Sequence, residues 1–189
     1  MEDPEKLRAI LSPEELERMD RYVCQADRDR YLVAWSLVRR VMGEITDSDP
    51  RHPSFVRTCT LCGHPSHGKP RLPGSGIDFS LSHSGDRILL GVSSDGEVGV
   101  DVEQTGRSID HLARLVLHPD EPHVVGLDLL RVWVRKEAGL KATGRGLVFP
   151  MNQFTMADPP SDAILHDIPA DAGYVAATAE IPAATDASS

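Results

Sequence analysis

The stretch VGVDVEQ, residues 98–104, alternates Val98, Val100 and Val102 with Asp101 and Glu103. Side chains alternate across a strand, so the two carboxylates point the same way. Like charges side by side repel, and each loses free energy if it is buried unpaired. A third carboxylate comes from WVRKEAGLKATGRGL, residues 133–147, where Trp133, Glu137 and Lys141 fall four apart and share one helix face. Asp101, Glu103 and Glu137 are all-oxygen donors of the kind a hard cation such as Mg²⁺ takes, keeping its waters and completing its octahedron with substrate phosphates. Lys141 beside them suits a phosphate that arrives with the metal. Alone, Glu137 and Lys141 read first as a surface ion pair worth at most about 0.5 kcal/mol. Lys136, one step round the helix, is expected in solvent.

Two further stretches carry reactive side chains. In FSLSHSGD, residues 79–86, Ser82, His83 and Ser84 end a strand at a glycine turn. Hydroxyls, backbone donors and an imidazole suit a phosphate, although a polar hairpin end with a satisfied histidine is the plainer reading. CTLCGHPSHGKPRL brings Cys59, Cys62, His64 and His67 within nine residues, like a zinc knuckle. Closed zinc sites need four tetrahedral ligands and mostly draw them from two separated pairs. A thiol pair without metal is therefore preferred, and a non-catalytic zinc-knuckle binding module stands as an alternative reading.

The elements that must position these groups follow from local pattern. Ser12, Pro13 and Glu15 mark a capped helix start. A second helix is expected over 27–43, with Leu32, Trp35, Val38 and Met42 on one face and Gly43 as its stop. Residues 46–76, rich in Pro, Gly, His and Ser, predict a long loop. Strands are expected from Ile77, Arg87 and Glu97, joined by turn dipeptides into an antiparallel meander. A short helix near 108–117 and a longer one over 121–143 come next, then two last strands, VFPMNQFTM and YVAATAEI, and a frayed tail over 181–189. Helices interleaved with antiparallel strands predict an α+β fold.

At 189 residues the chain suits one domain, and its net charge of −9 argues against binding nucleic acid through the whole surface. No apolar run reaches membrane-spanning length, and the acidic start MEDPEKLRAI is unlike a signal peptide, so a cytoplasmic protein without membrane contact is expected. Its three cysteines do not suggest a secreted disulfide framework.

HGKP (67–70), FSLSHSG (79–85), VGVDVE (98–103) and WVRKEAGLKATGRGL (133–147), in this order, resemble the 4′-phosphopantetheinyl transferases of the Sfp type. The resemblance runs from about Leu11 to Glu180. It implies a fold of two similar α/β halves related by a pseudo-twofold, here about 1–104 and 105–180. It also implies an enzyme that transfers 4′-phosphopantetheine from coenzyme A to a serine of an apo acyl or peptidyl carrier protein, with Mg²⁺, and releases 3′,5′-ADP. By resemblance Asp101, Glu103 and Glu137 ligate Mg²⁺, while Lys141 and His83, with Ser82, hold coenzyme A phosphates. Lys69 and Pro70 line the adenine end, partly through backbone, and Arg18 meets the 3′-phosphate. Glu137 is the candidate base for the carrier serine. A degenerate relative that binds coenzyme A without transferring it is a further alternative. Chains of this type usually begin with a strand, whereas this one opens on MEDPEKLRAILSPEELERMD, so a shortened N-terminal half is expected. A monomer is expected. Carrier recognition would need local features, such as Arg107 or Arg114, which read equally as solvated surface.

Overall fold

The computed structural model describes residues 3–57, 68–146 and 149–183. The chain divides into two compact units, Met1–Phe55 and Val56–Ser189. This division by contact differs in kind from the pseudo-symmetric halves expected at 104/105.

The first unit is helical: α1 (Pro4–Arg8), α2 (Pro13–Asp20) and α3 (Gln25–Ile45). α2 opens on the expected capping box, in which Ser12 Oγ accepts the Glu15 N–H and Glu15 Oε2 accepts the Ser12 N–H. Glu15 also accepts from Nε of buried Arg39 on α3, whose Nη1 donates to the carbonyls of Pro50, Arg51 and Pro53. Leu32, Trp35, Val38 and Met42 are all buried, as their spacing predicts. Gly43 does not stop α3, which runs on to Ile45. Its lack of a Cβ serves packing instead, because the Ser48 carbonyl and Pro50 lie against it.

The second unit holds β1 (Val56–Arg57), β2 (Pro70–Arg71), β3 (Asp78–Ser84), β4 (Arg87–Ser93), β5 (Glu97–Gln104), α4 (Ala113–Val116), α5 (Gly126–Ala142), β6 (Ile164–Ile168) and β7 (Tyr174–Ile181). β1 pairs with β2 inside the expected loop. β3 and β4 form the expected hairpin, but the meander stops there. β5 leaves it and pairs antiparallel with β7, which pairs with β6, giving a sheet of order β5-β7-β6. The mixture of helices and antiparallel strands is α+β, as expected.

α5 begins at Gly126 rather than 121. Pro122 disfavours helix at Glu121, and Glu121 is engaged elsewhere. VFPMNQFTM is not a strand: its described part includes a single 3₁₀ turn, Met151–Gln153. The other late strand is β6, ILHDI, whose mostly exposed edge position gives it no alternating apolar signature.

The feature that unites this unit lies between β3 and β5. The two strands run the same way, yet no main-chain ladder joins them. The N–H groups of Val98, Val100, Val102 and Gln104 donate to the side chains of Asp78, Ser80, Ser82 and Ser84. The hairpin therefore lays one polar face along the edge of β5, and short hydroxyls satisfy amides that would otherwise be orphaned there. Opposite the valine face of β5, α5 packs close. At Gly99 a Cβ would run into the Ala138 carbonyl and the Ala142 amide, so only glycine lets the helix this near. Ala177 and Ala179 of β7 extend the same small-residue floor under Val134, Ala138 and Ala142.

Candidate active site

Close packing of α5 on β5 brings Glu137 and Lys141 over the row of Asp101 and Glu103. Lys141 Nζ donates to Asp101 Oδ1 at 2.7 Å and to Ser82 Oγ at 3.0 Å, and stands 4.0 Å from Glu137 Oε1. The expected helix pair is thus the looser contact, and Asp101 is the partner Lys141 holds. Ser82 Oγ donates to Asp101 Oδ1 at 2.7 Å, and Ser84 Oγ to Glu103 Oε2 at 2.6 Å. Two carboxylate oxygens in the row, Asp101 Oδ2 and Glu137 Oε2, are buried without a hydrogen bond.

Burial dominates the electrostatics of the row. Burial drives the Glu137 carboxyl from its usual 4.5 up to about 7, with Lys141 opposing and the charges of Asp101 and Glu103 adding to the rise. Burial also raises Glu103, against the pull of its Ser84 bond. The unfolded chain releases the Glu137 proton near its usual value, while the folded chain keeps it until about 7. Between these values the fold binds more protons, so stability falls as pH rises. Without divalent cations, the wild-type chain should therefore lose about 2 kcal/mol more than Glu137→Gln when pH is raised from about 5 to about 7.5. Chemical denaturation at the two pH values measures this, and equal losses would refute it.

The donor set fits a hard cation: three carboxylates, all oxygen, two of them with a bare buried oxygen. Among the described residues no three acidic, histidine or cysteine side chains close around a point as they stand; the cation that Asp101 holds is the Lys141 ammonium.

Other expected site residues fall differently. His83 is exposed and lies on the opposite face of β3 from Ser82 and Ser84. Lys69 turns inward: its ammonium donates to Asp78, to the Val98 carbonyl at 2.7 Å and to the Ala142 carbonyl at 3.4 Å, tying β3, β5 and α5 together. Burial lowers its affinity for a proton, and Asp78 restores part of it. Arg18 lies half-buried on α2 in the first unit. Cys59, Cys62, His64 and His67 lie outside the described residues. Arg107 is exposed, and Arg114 lines a cavity of about 550 Å³ with His118, Glu121 and His123, lined by none of the expected site residues.

Lys136 is not solvated. It is fully buried, and its ammonium donates to Glu121 Oε2 at 2.6 Å and to the carbonyls of Val116, Met151 and Phe154. The segments around it lack sheet partners, and the lysine stands in for the missing donors.

Residues 97–180, which span β5, α5 and β7, match the 4′-phosphopantetheinyl transferase superfamily. Over that segment the chain is similar to that superfamily. It is 30% identical over 155 residues to the 4′-phosphopantetheinyl transferase HetI of Nostoc, covering 75% of this chain and 62% of the relative. To the 4′-phosphopantetheinyl transferase Sfp of Bacillus subtilis it is 27% identical over 164 residues, covering 82% and 70%. To the L-aminoadipate-semialdehyde dehydrogenase-phosphopantetheinyl transferase of Mus musculus it is 28% identical over 165 residues, covering 76% and 51%. The chain thus spans about three fifths of the length of the cyanobacterial relatives it matches. The superfamily match contains all three carboxylates and Lys141, whereas Ser82 and Ser84, which hold the carboxylates, precede it. A signal for those serines was present in DFSLSHS: a polar residue at every second position, in step with the alternate valines of VGVDVEQ twenty residues on.

Proposed function

We propose that this chain transfers 4′-phosphopantetheine from coenzyme A to a serine hydroxyl of an apo carrier protein, releasing 3′,5′-ADP. The observation that carries the reading is the buried acidic row of Asp101, Glu103 and Glu137 with Lys141 against it, two of its oxygens left without partners. Asp101, Glu103 and Glu137 would hold Mg²⁺, whose charge would offset that of the coenzyme A pyrophosphate. Lys141 is the candidate for the phosphates that come with it, and His83, Pro70, the Lys69 backbone and Arg18 are the remaining candidates for coenzyme A. In the transfer the carrier serine oxygen bonds to the pantetheine-side phosphorus, and the bond from that phosphorus to the 3′,5′-ADP oxygen breaks. The serine must lose its proton. Glu137, directly or through a metal-bound water, is the candidate base; in the metal-free chain burial holds its carboxyl at about 7. We read the protein as a cytoplasmic monomer that needs no nucleic acid or membrane. No helix among the described residues is long and apolar enough to cross one.

The test is intact-mass spectrometry of apo carriers from fatty-acid, polyketide and non-ribosomal peptide systems, incubated with the chain, coenzyme A and Mg²⁺. The expected result is a gain of one phosphopantetheine on at least one carrier, lost on chelation. Coenzyme A binding by calorimetry without transfer to any carrier would favour the degenerate relative instead.

A further inference from the structure

The β3–β5 bridge has a fixed register. A residue on β3 meets the amide twenty positions on and the side chain nineteen positions on. Ser82 Oγ accepts the Val102 N–H at 3.3 Å and a Lys141 ammonium proton at 3.0 Å, and gives its own proton to Asp101 Oδ1. Ser84 Oγ accepts the Gln104 N–H at 3.0 Å and gives its proton to Glu103 Oε2. A hydroxyl has one proton and two lone pairs, and an ionised carboxylate only accepts. The direction of each bond is therefore set by the β5 amide behind it. Ser82 has all its capacity in use, so it keeps no proton for a phosphate.

We propose that Ser82 and Ser84 are positioning residues of the acidic row: each holds one oxygen of the carboxylate nineteen positions on, so that the other is presented to a bound cation. This rests on the reading of the row as a divalent-cation site. At Asp101 the consequence is visible, because Oδ1 takes both hydrogen bonds and Oδ2 is left bare. Ser80 supplies the internal control. Its Oγ accepts the Val100 N–H at 3.1 Å in the same way, but the residue nineteen positions on is Gly99, which has no side chain to hold.

The experiment compares Ser84→Ala, Ser84→Thr and Ser80→Ala in the full chain. Mn²⁺ binding is read by electron paramagnetic resonance without coenzyme A, and the Mg²⁺ dependence of transfer is read separately. Partners that orient metal ligands typically contribute about ten- to a hundredfold in affinity. Ser84→Ala should weaken Mn²⁺ binding by about that factor and raise the Mg²⁺ needed for half-maximal rate, with Ser84→Thr restoring both. Ser80→Ala loses the same kind of edge bond and should leave both unchanged. Equal Mn²⁺ affinity in all three, or equal loss in Ser80→Ala and Ser84→Ala, overturns the proposal, as does a wild-type chain that binds no Mn²⁺. The expected pattern of Mn²⁺ binding in a chain that transfers nothing to any carrier would uphold the positioning role and sink the proposed activity instead.

Discussion

Asp101→Asn is expected to cut phosphopantetheine transfer by at least about a hundredfold, the scale on which losing one preorganised group at a charge-developing centre is felt. The substitution keeps the shape of the side chain, and the amide oxygen can still accept from Ser82. What it removes is the charge. Lys141, only 24% exposed at its side chain, then has no carboxylate nearer than Glu137, whose Oε1 now stands 4.0 Å away. Lys141 should swing to Glu137. That takes up the residue proposed to accept the serine proton, and it draws Lys141 from where the phosphates would lie. Removing the Asp101 charge also lowers the Glu137 carboxyl from about 7, since that charge helps hold it up. Each change weakens Glu137 as a base. The measurement is kcat/KM on an apo carrier, with circular dichroism and denaturation to confirm the fold. A variant within about threefold of wild type would sink the assigned role of Asp101.

The acidic row was legible because strand and helix periodicities are short-range rules. Period two places Asp101 beside Glu103, and a spacing of four places Glu137 below Lys141. The family resemblance joined the two pieces, and α5 does lie over β5 as that joining requires. What could not be read locally is how the pieces meet. Gly99 sets the distance between helix and sheet, and no local signal marks it. β5 looked like the third strand of a meander because turn dipeptides precede it, but its partner is β7, whose paired residues lie 70 to 84 positions on. Nothing in the local pattern favours that pairing over the hairpin neighbour. Lys69 was expected to line the adenine end of coenzyme A, and nothing local shows that its ammonium is enclosed by Asp78 and two carbonyls. The failures share one cause: a side chain whose partners come from distant segments carries no periodic signature.

Lys136 is the clearest case, and it carries the largest expected effect on stability. Lys136→Ala should lower the unfolding free energy by about 3–5 kcal/mol, because it strips one partner from a buried ion pair. Glu121 would keep the His118 and Met156 amides but lose its counter-charge. The carbonyls of Val116, Met151 and Phe154 would lose their shared donor. Lys136→Met separates packing from charge. It retains most of the stem, yet loses the ammonium over the Phe154 ring and supplies no proton to any carbonyl, and each buried group left unsatisfied costs about 1–3 kcal/mol. Met should therefore recover only part of the loss, and urea denaturation of the two variants measures the split. A Met variant as stable as wild type would mean the carbonyls find other donors, and that the lysine is packing alone. Activity should part company from stability here. Gly99, Ala138 and Ala142 fix the opposite side of α5 to the sheet, so Glu137 and Lys141 keep their places while the collar around residues 116–121 and 151–154 loosens. The transfer rate per folded molecule of Lys136→Met should accordingly stay within about threefold of wild type, and a loss as deep as that of Asp101→Asn would show that the collar reaches the acidic row through the helix.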